Sequence, residues 1–197
     1  HRRLDYLVVA SPQEEQLAAL PRTLEHYPPE AALWAGNMEA SYASRQLDEY
    51  LTNNGIPITR ASVGYALDLG SGVVLHVVDA SSRGAILLLE WNGFRALLPV
   101  GMDFDSLENL DNGKAIGPVT ALLLADSGYA PVNPPDWIAN LNPQVVILSV
   151  DAADPFGLPD VDTLDAVAPY TLLRTDQNGW IHLETDSEQL WIEVEKK

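Results

Sequence analysis

The chain has 197 residues, 47% hydrophobic and 20% charged, which suits one globular domain over 1–197 and excludes disorder. Cysteine is absent, so thiolate metal sites, cysteine nucleophiles and disulfide frameworks are excluded together. Lys and Arg number 11 against 28 Asp and Glu, a formal net charge of −17; such a surface repels phosphate, and no strong direct nucleic-acid binding is expected.

Leu4 to Ala10 (LDYLVVA) is an apolar, β-branched run that predicts a strand buried on both faces, ending at Ser11-Pro12. Gln13 to His26 carries Leu17, Leu20 and Leu24 at helical spacing, with Ser11 as N-cap, Pro12 at the first helical position and Glu14 and Glu15 in the first turn. Ala31 to Trp34 reads as a second strand. Tyr42 to Leu51 reads as a second helix with Leu47, Tyr50 and Leu51 inward, stopped by Asn53-Asn54-Gly55. Between Ile56 and Pro99 the pattern changes to strands joined by Gly- and Ser-rich turns: Ile56 to Ser62, Tyr65 to Leu69, Val73 to Val78, Ala85 to Trp91 and Phe94 to Leu98. Asn92-Gly93 is a hairpin signal, because both central residues of a type I′ turn need positive φ. Mixed elements resume, with strands at Val119 to Leu124 and Val145 to Ser149 and helices at Phe104 to Leu110, Pro135 to Leu141 and Val161 to Val167. Asp126 to Pro135 reads as a surface loop, and Tyr170 to Arg174, Gly179 to Thr185 and Gln189 to Glu195 as closing strands. Helix and strand mixtures flanking antiparallel hairpins predict an α/β (α+β) layered αββα sandwich. No run reaches the ~18 apolar residues of a membrane span, which suits a soluble domain.

Five segments carry a resemblance. The first strand and helix, Leu4 to Leu20, read LDYLVVASPQEEQLAAL; Leu97 to Asp103 read LLPVGMD; Leu122 to Gly128 read LLLADSG; Asp154 to Pro159 read DPFGLP; Leu173 to Ile181 read LRTDQNGWI. In this order they resemble the metallo-β-lactamase fold, and more narrowly the C-terminal domain of the ComEC competence channel family, whose motifs are hDhhhhSHPDxDHhGGL (h apolar), LLTGD, hKVxHHGS, NxxGHP and hRTDxxGxI. The closing segment and the Gly-Leu-Pro-Asp stretch are the most specific matches. The family opens with a strand pair carrying DVGQGD, which has no counterpart here, so the resemblance implies that the N-terminal strands of the fold are missing and that the start at His1-Arg2-Arg3 is a point of excision. An uncovered sheet edge or apolar face, with self-association, is expected from that.

The resemblance also implies a dinuclear Zn or Mn hydrolase site whose ligands are replaced. The family's first His falls on Ser11, its Asp on Gln13, its second Asp on Glu15, its second His on Gln16 and its last His on Leu158. The bridging Asp is displaced by two residues onto Asp103, and Asp126 stands where the His-His pair is found. Ser, Gln and Leu do not replace imidazole, and no catalytic residue is expected. His1, His26, His76 and His182 form no i,i+4 or His-x-His pair, so no transition-metal cofactor is expected either. Asp103, Asp126 and Asp154 stay as weak candidates for a hard cation, since oxygen ligands suit Ca²⁺ or Mg²⁺; capping and turn formation are the ordinary account of such aspartates, as at Asp103 and Asp160. The expectation is a catalytically inactive module of a membrane-anchored ComEC-type DNA-uptake protein, with the transmembrane channel portion of the same parent as its partner. An active phosphodiester hydrolase built on the three aspartates, and a stand-alone acidic protein-binding module, are the competing readings.

Overall fold

The computed structural model describes residues 3–196. β1 (Leu4–Val9) and β2 (Pro29–Trp34) run parallel, and β3 (Ile58–Arg60) adds to β2, making a sheet in the order β1-β2-β3. As the edge strand, β1 leaves Leu4 and Tyr6 exposed; only its C-terminal end is covered, which corrects the expectation of burial on both faces.

The helix expected over 13–26 is two, α1 (Glu14–Leu17) and α2 (Leu20–Leu24). Pro21 explains the break, because its ring lacks an N–H and collides with the carbonyl four residues back, at Leu17. Ser11 and Pro12 do not start α1 either. Gln13 is still extended (φ −66°, ψ 139°) and holds the cap position, while the Ser11 hydroxyl accepts weakly from the Gln13 amide at 3.4 Å. α3 (Tyr42–Asn53) begins with a reciprocal capping box between Ser41 and Ser44 and ends before Asn54-Gly55. Leu47 and Leu51 on its inner face are fully buried, each contributing roughly 1.5–3 kcal/mol of transfer free energy; Tyr50 is half-buried.

The second sheet has seven strands in the order β10-β9-β8-β7-β6-β5-β4. β4 (Ala66–Gly70), β5 (Val73–Ser81), β6 (Gly84–Trp91) and β7 (Phe94–Leu98) form an antiparallel meander, with Asn92 and Gly93 at φ 45° and 93° in the predicted turn. β8 (Ala121–Leu123), β9 (Val145–Leu148) and β10 (Thr171–Arg174) continue it in parallel, and the connections carry α4 (Phe104–Asn109), α5 (Pro135–Leu141) and α6 (Val161–Val167). A short α7 (Thr175–Asn178) leads into the hairpin of β11 (Ile181–Thr185) and β12 (Leu190–Val194).

Strand periodicity sorts the core into layers. Ala32 and Trp34 face α1 to α3 with Leu17, Leu24, Leu47 and Leu51, whereas Leu33 and Ala35 meet Leu75, Val77, Ala85 and Leu87 between the sheets. Leu97, Leu122, Val146 and Leu148 face α4 to α6 around Trp137, Ile138 and Leu141. Their neighbours Ala96, Ala121 and Val145 point inward, where Leu183 and Leu190 of the β11–β12 hairpin cover them. The result is the αββα sandwich expected.

Segment 126–135 is not a solvated loop. Val132 and Asn133 are buried, and the Asn133 carboxamide accepts from the Ala125 amide at 3.0 Å while donating to the carbonyls of Ala125 (3.0 Å) and Tyr129 (2.7 Å). One side chain thus satisfies backbone groups that would otherwise be buried without partners.

Candidate active-site cleft

The two sheets meet closely at one edge. The Ala85 amide donates to Ala10 O at the end of β1 (2.8 Å), and the Gly101 amide after β7 donates to Ala85 O (2.9 Å). Glycine is required at this crossing. A Cβ on Gly84 would lie 2.2 Å from Ala10 O, and one on Gly101 would lie 2.3 Å from Ala85 N, both backbone atoms that cannot swing aside. Around the junction, the segment after β1, the Ser82-Arg83 turn, and the loops after β8 and β9 enclose a cleft of about 960 Å³.

Most of the site positions named from sequence converge here. Gln13, Glu15, Gln16, Asp126, Asp154 and Leu158 all line the cleft, although Gln13 and Leu158 lie 145 positions apart in the chain. Ser11 is nearly fully buried and is not among the lining residues. Asp103 is also outside the lining and caps α4, its Oδ1 accepting from the Ser106 amide and hydroxyl, each at 2.8 Å. Asp160, the other expected cap, makes no capping bond to α6; its Oδ2 accepts from the Ala130 amide instead.

Two cleft residues, Arg83 and Glu14, match no specified motif position. Arg83 extends from the β5–β6 turn and donates from Nη2 to Asp126 Oδ2 at 3.2 Å. Glu14 accepts the Ala43 amide at 2.9 Å and so ties α1 to α3. Arg83 is the only cation lining the cleft among the described residues, against Glu14, Glu15, Asp126 and Asp154. Burial pushes the Asp126 carboxyl up, Arg83 opposes it, and the net is a raised value. At Asp103 burial also acts upward, but hydrogen bonds from Ser106 and Ser81, with Arg83 nearby, outweigh it and hold the carboxyl below the usual range. Asp126 and Ser127 both adopt left-handed backbone (φ 40° and 52°), a costly conformation for consecutive non-glycine residues.

No protein-family model matches this chain, and no curated protein matches it either. Solved structures do. PqqB from Methylobacterium extorquens, described as Zn²⁺-bound, superposes with a TM-score of 0.58 at 11% identity over 86% of this chain and 70% of its own. CmlA, a diiron β-hydroxylase from Streptomyces venezuelae, superposes at 0.54 with 13% identity over 75% of this chain, and a variant of CmlA at 0.61 with 12% identity over 88%. At these identities the likeness is one of fold alone. The present fold is metallo-β-lactamase-like. The chain spans 35% and 43% of the two CmlA chains.

Within this metallo-β-lactamase-like frame, the donor set does not fit a metal centre. Among the described residues no group of three or more His, Asp or Glu side chains is arranged to hold an ion. Three of the four carboxylates that line the cleft are otherwise engaged, Glu14 by the Ala43 amide. Asp126 is paired with Arg83, and Asp154 Oδ1 accepts the amides of Phe156 (2.9 Å) and Leu158 (3.1 Å). Of the three aspartates named as hard-cation ligands, Asp126 and Asp154 line the cleft, while Asp103 lies outside the lining and caps α4. His26 faces Arg22 O, His76 pairs with Glu90 at 3.2 Å and His182 approaches Glu193 at 3.9 Å, none of them in the cleft; His1 lies outside the described residues. The closing motif is used structurally. Arg174 grips Asp176 with two hydrogen bonds (3.0 and 2.7 Å), and Thr175 Oγ1 accepts from Val150 N and donates to Val150 O, both at 2.9 Å.

Proposed function

We propose that this chain is a catalytically silent metallo-β-lactamase-like module, acting as a scaffold or partner-binding element of a ComEC-type DNA-uptake membrane protein. The observation that carries the reading is Arg83 bound to Asp126 in the cleft. A guanidinium stays protonated at all ordinary pH, so it adds a fixed positive charge where a dinuclear hydrolase needs neutral imidazoles and free carboxylates. The pattern of retention supports the same conclusion. The motif residues kept, Arg174, Thr175 and Asp176, build a corner of the fold, whereas the positions changed, Gln13, Gln16 and Leu158, are those that would face a metal.

The ComEC-type context rests on the likeness of Leu173 to Ile181 to that family's closing motif. No helix among the described residues is long and apolar enough to cross a membrane. The partner in this reading is the channel portion of the same parent, which the family resemblance supplies. With a net charge of −17, the module would brace that channel or repel DNA toward its pore instead of holding the strand.

The test is metal loading with turnover. After incubation with Zn²⁺ or Mn²⁺ and dialysis, the protein is expected to retain substoichiometric metal and to hydrolyse bis-p-nitrophenyl phosphate at the buffer rate. Stoichiometric metal with chelator-sensitive hydrolysis overturns the silent reading. The channel context is tested separately by fractionating the full-length protein, which is expected with the membranes; recovery in the supernatant removes that part.

A further inference from the structure

A second groove, of about 980 Å³, shares no lining residue with the cleft. One wall is Tyr129, Pro131 and Pro134; the other is α6, presenting Val161, Asp162 and Asp165. Its apolar side chains are left to water: Val161 is 70% exposed and Tyr129 43%. Concave surface with apolar side chains exposed is where ligands preferentially bind.

The groove is held open in advance. Asn133 fastens the 129–135 wall to Ala125 and Tyr129, and Asp160 at the head of α6 accepts the Ala130 amide at 2.7 Å, bolting the two walls together. Proline at 131, 134 and 135 restricts the backbone further. A ligand entering it would not have to order the protein, which removes one of the main costs of association.

Charge selects the occupant. Every charged lining residue is a carboxylate, and none of Asp160, Asp162 and Asp165 is ion-paired among the described residues. Asp160 is committed to Ala130, but Asp162 and Asp165, three apart on one face of α6, remain for a ligand. A second copy at −17 and a nucleic acid are both repelled. We infer that this groove docks a basic peptide segment of a partner protein, with an apolar or proline side chain seated between Tyr129 and Val161 and lysine or arginine against Asp162 and Asp165. The inference deepens the scaffold reading and rests on it only in taking the partner to be a protein.

The test uses a fluorescein-labelled octapeptide of lysine, proline and leucine, one counterpart with serine for leucine and one with glutamate for lysine. Binding is followed by anisotropy and by amide chemical shifts. The first peptide is expected to bind, to shift amides of Tyr129, Ala130 and 161–166, and to lose about tenfold in affinity on Asp162→Asn with Asp165→Asn. Glu184→Gln with Glu188→Gln removes the same charge from the β11–β12 hairpin and is expected to change affinity by less than about twofold. Equal losses in the two double variants, equal binding of the serine peptide, shifts confined elsewhere, or no binding at about millimolar peptide each overturn the inference. The metal and turnover assay is independent of all these outcomes, so failure here and failure of catalytic silence are told apart.

Discussion

Asp103 and Asp126 are both influenced by Arg83, yet their carboxyls are displaced in opposite directions. Asp103, held low, contributes stability above the ordinary aspartate value of ~3.9, and that contribution is lost as pH falls through its lower folded value. Asp126, held high by burial, has the reverse sign: its charge costs stability above the folded value, and protonation relieves that cost as pH falls. Asp103→Ala is expected to cost about 1 kcal/mol in urea unfolding at neutral pH through loss of the α4 cap, with the deficit shrinking in acid. Asp126→Asn is expected to leave neutral-pH stability unchanged or raised, because the carboxamide escapes the burial penalty and the ion pair lost, to a half-exposed Arg83, is worth only ~0–1 kcal/mol. Its standing relative to the parent should decline as pH falls. A loss well above ~1 kcal/mol at neutral pH would show that the pair outweighs burial.

Elements in this fold are located by backbone contact as much as by side-chain packing. The crossing of β1, β6 and the segment after β7 depends on Gly84 and Gly101, and it adjoins Pro12 and Ser82-Arg83, which line the cleft. Gly101→Ala places a methyl against backbone atoms of two strands, and a loss of roughly 3 kcal/mol or more is expected. Gly55→Ala, at φ 67° with open space around it, is expected to cost only ~1 kcal/mol. Equal effects in urea unfolding would refute the close-approach account. The break between α1 and α2 teaches a related point: Leu17, Leu20 and Leu24 keep helical spacing across it, so hydrophobic periodicity survives where Pro21 interrupts the hydrogen bonds.

Over the whole molecule, the acidic charge is barely offset. Arg3, Arg83, Arg95, Lys114 and Arg174 pair with carboxylates, and all 11 Lys and Arg are outnumbered by 28 Asp and Glu that repel phosphate. Neither single- nor double-stranded DNA is expected to shift in a gel at ~0.15 M salt. The thermal midpoint is expected to rise as salt increases from ~0.02 to ~0.2 M, because screening relieves like-charge repulsion. A midpoint that falls instead would mean that the ion pairs dominate.

The sequence by itself determined what local forces decide. The helices at Pro135–Leu141 and Val161–Val167, the strand Phe94–Leu98 and the Asn92-Gly93 turn lie where composition, proline and glycine place them, since each depends on neighbours a few residues away. The motif resemblance also named Gln13, Glu15, Gln16, Asp126 and Leu158, which line the cleft. Tertiary structure alone decided the rest. It brought Arg83 to Asp126 across 43 positions, joined Asp160 to the Ala130 amide in place of the expected cap, and buried Asn133 within segment 126–135. These contacts arise from how two sheets and their connections stack, and no periodicity along the chain encodes which distant polar groups that stacking makes neighbours.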